Sequence, residues 1–133
     1  MTSHIDTVQA LYGAFGRGDI PAILAGLSDN VEWEHDSADH DVPWLKPRRG
    51  RAAVGGFFKD LADLAIERFE PRSFLSSADQ VAVTTAVDIV VKATGRRIRD
   101  LAIHLWTFAP DGKVARFRHF VDTHQYVLAN RGA

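Results

Sequence analysis

The stretch Leu101-Ala-Ile-His-Leu-Trp-Thr-Phe108 constrains the fold of this chain more than any other. It has the length of a strand and is apolar on both alternating faces, so it needs cover on both sides. His104 sits in its middle, where a polar ring is costly without a partner. Ala109-Pro-Asp-Gly-Lys113 follows, with proline and glycine where a tight turn needs a fixed φ and a positive φ. The return run, Val114-Ala-Arg-Phe-Arg-His-Phe-Val-Asp122, therefore pairs with it as an antiparallel hairpin. Charge selects the register. A three-residue loop pairs His104 with Arg118 and buries Arg116 and Arg118 unpaired, at a cost of several kcal/mol. A four-residue loop instead buries Phe117, His119 and Val121, placing His104 beside His119 and Trp106 beside Phe117.

Two further runs, Ile66–Leu75 and Val81–Val91, have strand length and are bounded by turn residues. A turn centred between Thr94 and Gly95 sets Thr85 opposite His104 and Val87 opposite Ala102, which puts Val87 and Ile89 on the histidine face. Upstream the period changes. Ile5, Val8, Leu11, Tyr12 and Phe15 mark one face of a helix from Ser3 to Gly16. Asp19 and Pro21 start a shorter helix running through Leu27. Ser28-Asp-Asn30 reads as a turn, and Val31-Glu-Trp-Glu-His35 as a half-buried strand with Val31, Trp33 and His35 on one face. Asp36 to Pro47 reads as an irregular loop in which Trp44 stands alone. Gly50 to Leu64 is helical, with Val54, Phe57, Phe58, Leu61 and Leu64 as its apolar stripe. A tail helix from Thr123 to Asn130, capped by Asp122, ends the pattern.

The expectation is a single α+β domain over residues 1–133: a cone of three helices from the N-terminal half, packed on a strongly curved, mostly antiparallel sheet that encloses an apolar pocket. There is no cysteine, hence no disulfide framework and no thiolate chemistry. A net charge of −1 with scattered arginines gives no footprint for nucleic acid. The N-terminus lacks a basic and apolar leader, and no stretch approaches the ~20 apolar residues of a membrane span, so a soluble, cytoplasmic protein is expected.

The order of elements, Leu11-Tyr-Gly-Ala-Phe-Gly-Arg-Gly-Asp19, Asp41-Val-Pro-Trp44 and Asp111-Gly-Lys-Val-Ala-Arg-Phe-Arg118 together resemble the SnoaL-like branch of the NTF2-like superfamily. That group includes ketosteroid isomerase, limonene epoxide hydrolase and polyketide cyclases, alongside ligand binders and interaction modules, so fold alone does not give function. Aligned on Gly18-Asp19, His35 falls where the isomerase has its general-base aspartate. Aligned on Gly95, His104 falls where it has a protonated, hydrogen-bond-donating aspartic acid. Leu11 takes the place of its oxyanion-hole tyrosine, with Tyr12 one position out of register. Aligned on Asp111-Gly-Lys113, His119 sits where the cyclases and the epoxide hydrolase carry a catalytic aspartate. The resemblance therefore implies acid–base chemistry at three positions, each occupied here by imidazole.

His35, His104 and His119 are thus the candidate catalytic groups, because an imidazole with an unperturbed pKa near ~6.5 suits proton transfer at neutral pH. Tyr12, Phe15, Trp33, Trp44 and Phe57 are expected to line the ligand pocket, together with Val87, Ile89, Trp106, Phe117 and Val121. The three histidines lack the short-range ligand spacing of a metal site, and neither a metal nor an organic cofactor is implied. The expected function is that of a small-molecule enzyme of SnoaL-like type: isomerase, hydratase or hydrolase, or cyclase, acting on a small hydrophobic molecule. The alternative is a non-catalytic ligand-binding or dimerisation module. Leu101, Ile103 and Leu105 point away from the pocket with Ala86 and Val90 beside them, so a homodimer through the outer sheet face is expected, with Arg116 or Arg118 compensating Asp88.

Overall fold

The computed structural model describes residues 3–35 and 41–132. Helix α1 spans His4–Gly16 and buries Val8, Leu11 and Ala14. Its N-cap is Ser3, whose hydroxyl accepts from the Asp6 amide at 3.1 Å, an arrangement worth about 1 kcal/mol. Helix α2 (Ile20–Ala25) is capped by Asp19 and has proline in its first turn. Strand β1 (Leu27–His35) leads by a 3₁₀ turn, Pro43–Leu45, and the short strand β2 (Arg48–Arg49) to helix α3 (Arg51–Asp60). Strands β3 (Leu64–Ser77), β4 (Gln80–Val91), β5 (Arg97–Phe108) and β6 (Val114–Phe120) follow, then helix α4 (Thr123–Arg131). The six strands form one sheet in the order β2-β1-β6-β5-β4-β3. All pairings are antiparallel except that of β1 with β6. No described helix is long and apolar enough to cross a membrane.

The last hairpin adopts the register that charge selects: His104 lies opposite His119 and Trp106 opposite Phe117. The β4–β5 hairpin differs by two residues from its expected register. Val83, not Thr85, faces His104, while Thr85 faces Ala102 and Val87 faces Asp100. The loop is the cause. Its four residues, Lys92 to Gly95, place Gly95 at the closing position with φ +73°, its amide donating to the Val91 carbonyl at 2.8 Å. A shift of two preserves faces, so Val87 and Ile89 stay on the side of His104.

Ser28, Asp29 and Asn30 belong to β1 and are not a turn. Leu27 pairs with Val114, and the ladder resumes at Glu32 with Arg116 after an irregularity. The Arg51 guanidinium reinforces the extended path by donating to the Leu27 carbonyl and pairing with Asp29. In β3, Glu67 and Arg72 are extra residues at two bulges. Each bulge inverts the alternation, so Ile66, Phe69 and Phe74 share the concave face despite their uneven spacing.

On the outer face Leu101 is 55 % exposed, and Ile103 and Leu105 are half-buried beside it. The charge pairing expected there is different in the structure. Asp88 takes Arg97 at 2.6 Å and Arg99 at 3.3 Å, whereas Arg116 and Arg118 turn to Glu34. The nearer partners are those on the strand directly paired with β4. The hydrogen bond from Arg97 holds the Asp88 carboxyl below its ordinary range against the opposing effect of burial.

Candidate functional site

Curvature of the sheet around α1, α2 and α3 leaves a cavity of about 90 Å³ on the concave face. That is room for about three waters at roughly 30 Å³ each, or one small ring. Its wall is apolar apart from tyrosine hydroxyls, indole nitrogens and the imidazoles of His104 and His119. Such a wall holds water poorly and favours an apolar occupant.

At one part of the wall three polar side chains join. Tyr12, from α1, has its Oη 2.6 Å from Nδ1 of His104. Trp106, two residues along β5 from His104, donates its indole N–H to the same Oη at 3.1 Å. An indole nitrogen only donates. The arrangement that satisfies all three groups has the Tyr12 O–H donating to Nδ1, so that the neutral His104 carries its ring proton on Nε2. Burial is the main reason the Tyr12 phenol is pushed above its ordinary pKa, outweighing the N–H of Trp106. The phenol therefore stays protonated and available as a donor at neutral pH. The His119 ring stands 4.7 Å from that of His104 and nearly perpendicular to it. His104 is 5 % exposed, and His119 is half-buried.

Of the residues expected to line the pocket, Tyr12, Phe15, Trp33, Trp44, Phe57, Val87, Ile89, Trp106 and Phe117 do so. Val121 does not. The final strand ends at Phe120, before its alternation reaches that residue, and Val121 packs against the core from its edge. His35 pairs with His119 through its backbone at the end of β1. Its side chain, like residues 36–40, lies outside the described residues. Trp44, alone in its loop in the sequence, is 4 % exposed and forms part of the wall.

The cavity also uses residues that the sequence pattern does not single out as lining. Leu11 and Phe58 fill gaps on α1 and α3, and Phe69 reaches the cavity through the bulges of β3. Tyr126 comes from α4 and is almost completely buried. Burial, then the charges of Asp100 and Asp122, raise its phenol above the usual range. Among the described residues no group of three His, Asp or Glu has the geometry to hold a metal ion.

Comparison with known proteins agrees with this architecture. The sequence model of the SnoaL-like domain matches residues 8–117. An NTF2-like protein of Burkholderia xenovorans LB400 is 26% identical, with 95% of this chain and 94% of that chain covered and a TM-score of 0.84. TerC, solved with polyporic acid, is also 26% identical, with 96% and 98% covered and a TM-score of 0.81. A candidate isomerase of Rhodopseudomonas palustris shares the fold at 24% identity, with both chains wholly covered and a TM-score of 0.74. No curated protein matches the sequence. With the family model spanning most of its length and its concave sheet, helices and cavity in the arrangement of these structures, the chain belongs to the SnoaL-like family of the NTF2-like superfamily.

Proposed function

We propose that this protein is a cofactor-independent enzyme that moves protons on a small hydrophobic molecule, in an isomerisation, hydration or cyclisation. One observation carries the reading: Tyr12 Oη lies 2.6 Å from His104 Nδ1, with the His119 ring 4.7 Å from that of His104, on a cavity wall otherwise almost entirely apolar. The roles follow from what each group can do. Tyr12 fixes the tautomer of His104, whose Nε2–H then serves as donor to an oxygen that becomes negative as the substrate loses a proton. His119 is the base that takes a proton from the carbon next to that oxygen-bearing carbon. Returning it to a different carbon completes an isomerisation, and the enzyme regains its starting protonation state. A small organic ligand is supported by TerC, which was solved with polyporic acid.

The test is hydrogen exchange at carbon. Small enolisable ketones such as 2-cyclohexenone, incubated with the protein in D₂O, should incorporate deuterium faster than in buffer. His119→Ala should lower that rate about 10²–10⁴-fold, the range for a positioned general base. Binding without any exchange would favour the ligand-binding module over the enzyme.

A homodimer through the outer sheet face belongs to the same proposal. Leu101 is exposed beside Ile103 and Leu105, and Asp88 on the same face already has two arginine partners in its own chain.

A further inference from the structure

The concave face of β4 carries Val81, Val83, Val87, Ile89 and Val91, all aliphatic, and in their midst Thr85. Thr85 is 0 % exposed, and its Oγ1 makes no hydrogen bond of ordinary geometry among the described residues. Valine has the same branched shape, so packing in this row does not call for a hydroxyl. A buried O–H left unpaired is a net cost.

The register shows what lies over it. Strand β4 runs between β3 and β5. The Tyr12 ring reaches both of these neighbours: it lies 5.9 Å from Phe69 and 6.0 Å from Phe74 on β3, and 5.8 Å from His104 on β5. Phe69 pairs with Val87 and Phe74 with Val83, and Thr85 stands between those two valines. Tyr12 therefore crosses β4 at Thr85. Burial raises the pKa of the Tyr12 phenol, and Trp106 and then Thr85 draw it back, as donors near its oxygen do.

Tyr12 Oη has one proton and two acceptor positions, and Trp106 fills one of them. If His104 carried its proton on Nδ1 and filled the other, the Tyr12 proton would pass to Thr85 and the Thr85 proton would have no acceptor. In the opposite order Thr85 fills the second position and Tyr12 donates to Nδ1, so the protons of Thr85, Trp106 and Tyr12 all have acceptors. That order strands no buried donor, and two donors on the phenol oxygen strengthen its own donation.

We propose that Thr85 is a positioning residue for His104: its hydroxyl donates to Tyr12 Oη and thereby fixes the direction of the hydrogen bond between Tyr12 and His104. As a role in catalysis this rests on the reading of the site as a proton-transfer centre. The order of the hydrogen bonds does not.

The test combines Thr85→Val, Thr85→Ser and Tyr12→Phe with ¹⁵N NMR of the histidine ring nitrogens at mildly alkaline pH and with urea denaturation. Thr85→Val should move the His104 Nδ1 resonance downfield, away from that of a hydrogen-bond acceptor, because Tyr12 then donates more weakly. Thr85→Ser keeps the hydroxyl and should leave that resonance at its wild-type position. Thr85→Val should also lower the folding equilibrium constant about three- to tenfold, the worth of one net hydrogen bond. In the Tyr12→Phe background the same change should leave the constant unchanged or raise it, because the oxygen that Thr85 meets is gone. Either an equal loss in both backgrounds or an Nδ1 resonance that Thr85→Val does not move overturns the assignment and leaves Thr85 a packing residue. Should the double variant fail to fold, the nitrogen spectra of the single variants decide. Neither measurement involves a ligand or turnover, so their failure leaves the proton-transfer reading in place. Absence of deuterium incorporation would remove that reading and leave the hydrogen-bond order standing.

Discussion

Replacing Tyr12 by Phe tests the polar junction with a single atom. The side chain keeps its ring and its contacts with Phe69 and Phe74, so packing is conserved and only the hydroxyl is lost. Two buried groups then lose their partner: the Trp106 indole N–H, on a residue 4 % exposed, and Nδ1 of His104, on a residue 5 % exposed. Each stranded group costs about 1–3 kcal/mol. Against this, the variant no longer has to bury a hydroxyl, which returns about 1–2 kcal/mol. The net expectation is a loss of about 2 kcal/mol, hence a fall in Tm of roughly 6–10 °C for a domain of this size. Urea denaturation at pH 7 with a shared m-value measures it. Combining Tyr12→Phe with Trp106→Phe should cost less than the sum of the two single changes, because one interaction is removed in both. A Tyr12→Phe protein within about 0.5 kcal/mol of wild type would refute the junction, and with it the assignment of the His104 tautomer.

Alkaline pH provides a second probe. Burial raises the pKa of both Tyr12 and Tyr126 in the folded state, so the folded protein retains two protons that the unfolded chain releases near its ordinary value of about 10. Their stabilisation is complete below that value and falls as pH rises, by about 3 kcal/mol per pH unit once both phenols ionise in the unfolded chain, and Tyr12→Phe should halve the slope. Denaturation midpoints between pH 9 and 11.5 would show it, and a flat profile would mean that neither phenol is desolvated. For the proposed dimer, light scattering over a dilution series should give twice the monomer mass, with Leu105→Asp or Leu101→Asp shifting the protein to monomer. A wild-type monomer at high concentration would remove the dimer from the proposal.

Faces were more legible in the sequence than registers. Alternation along β4, β5 and β6 assigns Val87, Ile89, His104, Trp106, Phe117 and His119 to one surface, and an even-numbered slip leaves that assignment intact, as the β4–β5 hairpin demonstrates. What the sequence concealed depended on contacts between distant segments. Ser28-Asp-Asn30 has the composition of a turn and becomes strand because β6 and Arg51 hold it extended. Phe69 has no consistent period because two bulges re-aim it. Tyr12 was visible as a member of the helical stripe, but its offset by one position from the tyrosine of the resembling isomerase hid its role. Only the packing of α1 on the sheet shows that its hydroxyl reaches His104. Tyr126 gave no signal beyond membership of a weakly patterned tail helix.

The parallel pairing of β1 with β6 has a consequence for the order in which this molecule assembles. Strands β3 to β6 are joined by hairpins and form from contacts close in sequence, whereas β1 joins β6 only after most of the chain has been closed into a loop. Tyr12 and His104 are separated by 92 positions. The meander is therefore the early-forming unit, and docking of the N-terminal segment onto it is the entropically demanding late step. During synthesis the N-terminal helices emerge first, and α1 meets its sheet partners, Phe69 and Phe74 of β3 among them, only once those strands have followed. The histidine pair is set across β5 and β6 by their hairpin, and it acquires its tyrosine only when α1 docks on the finished meander.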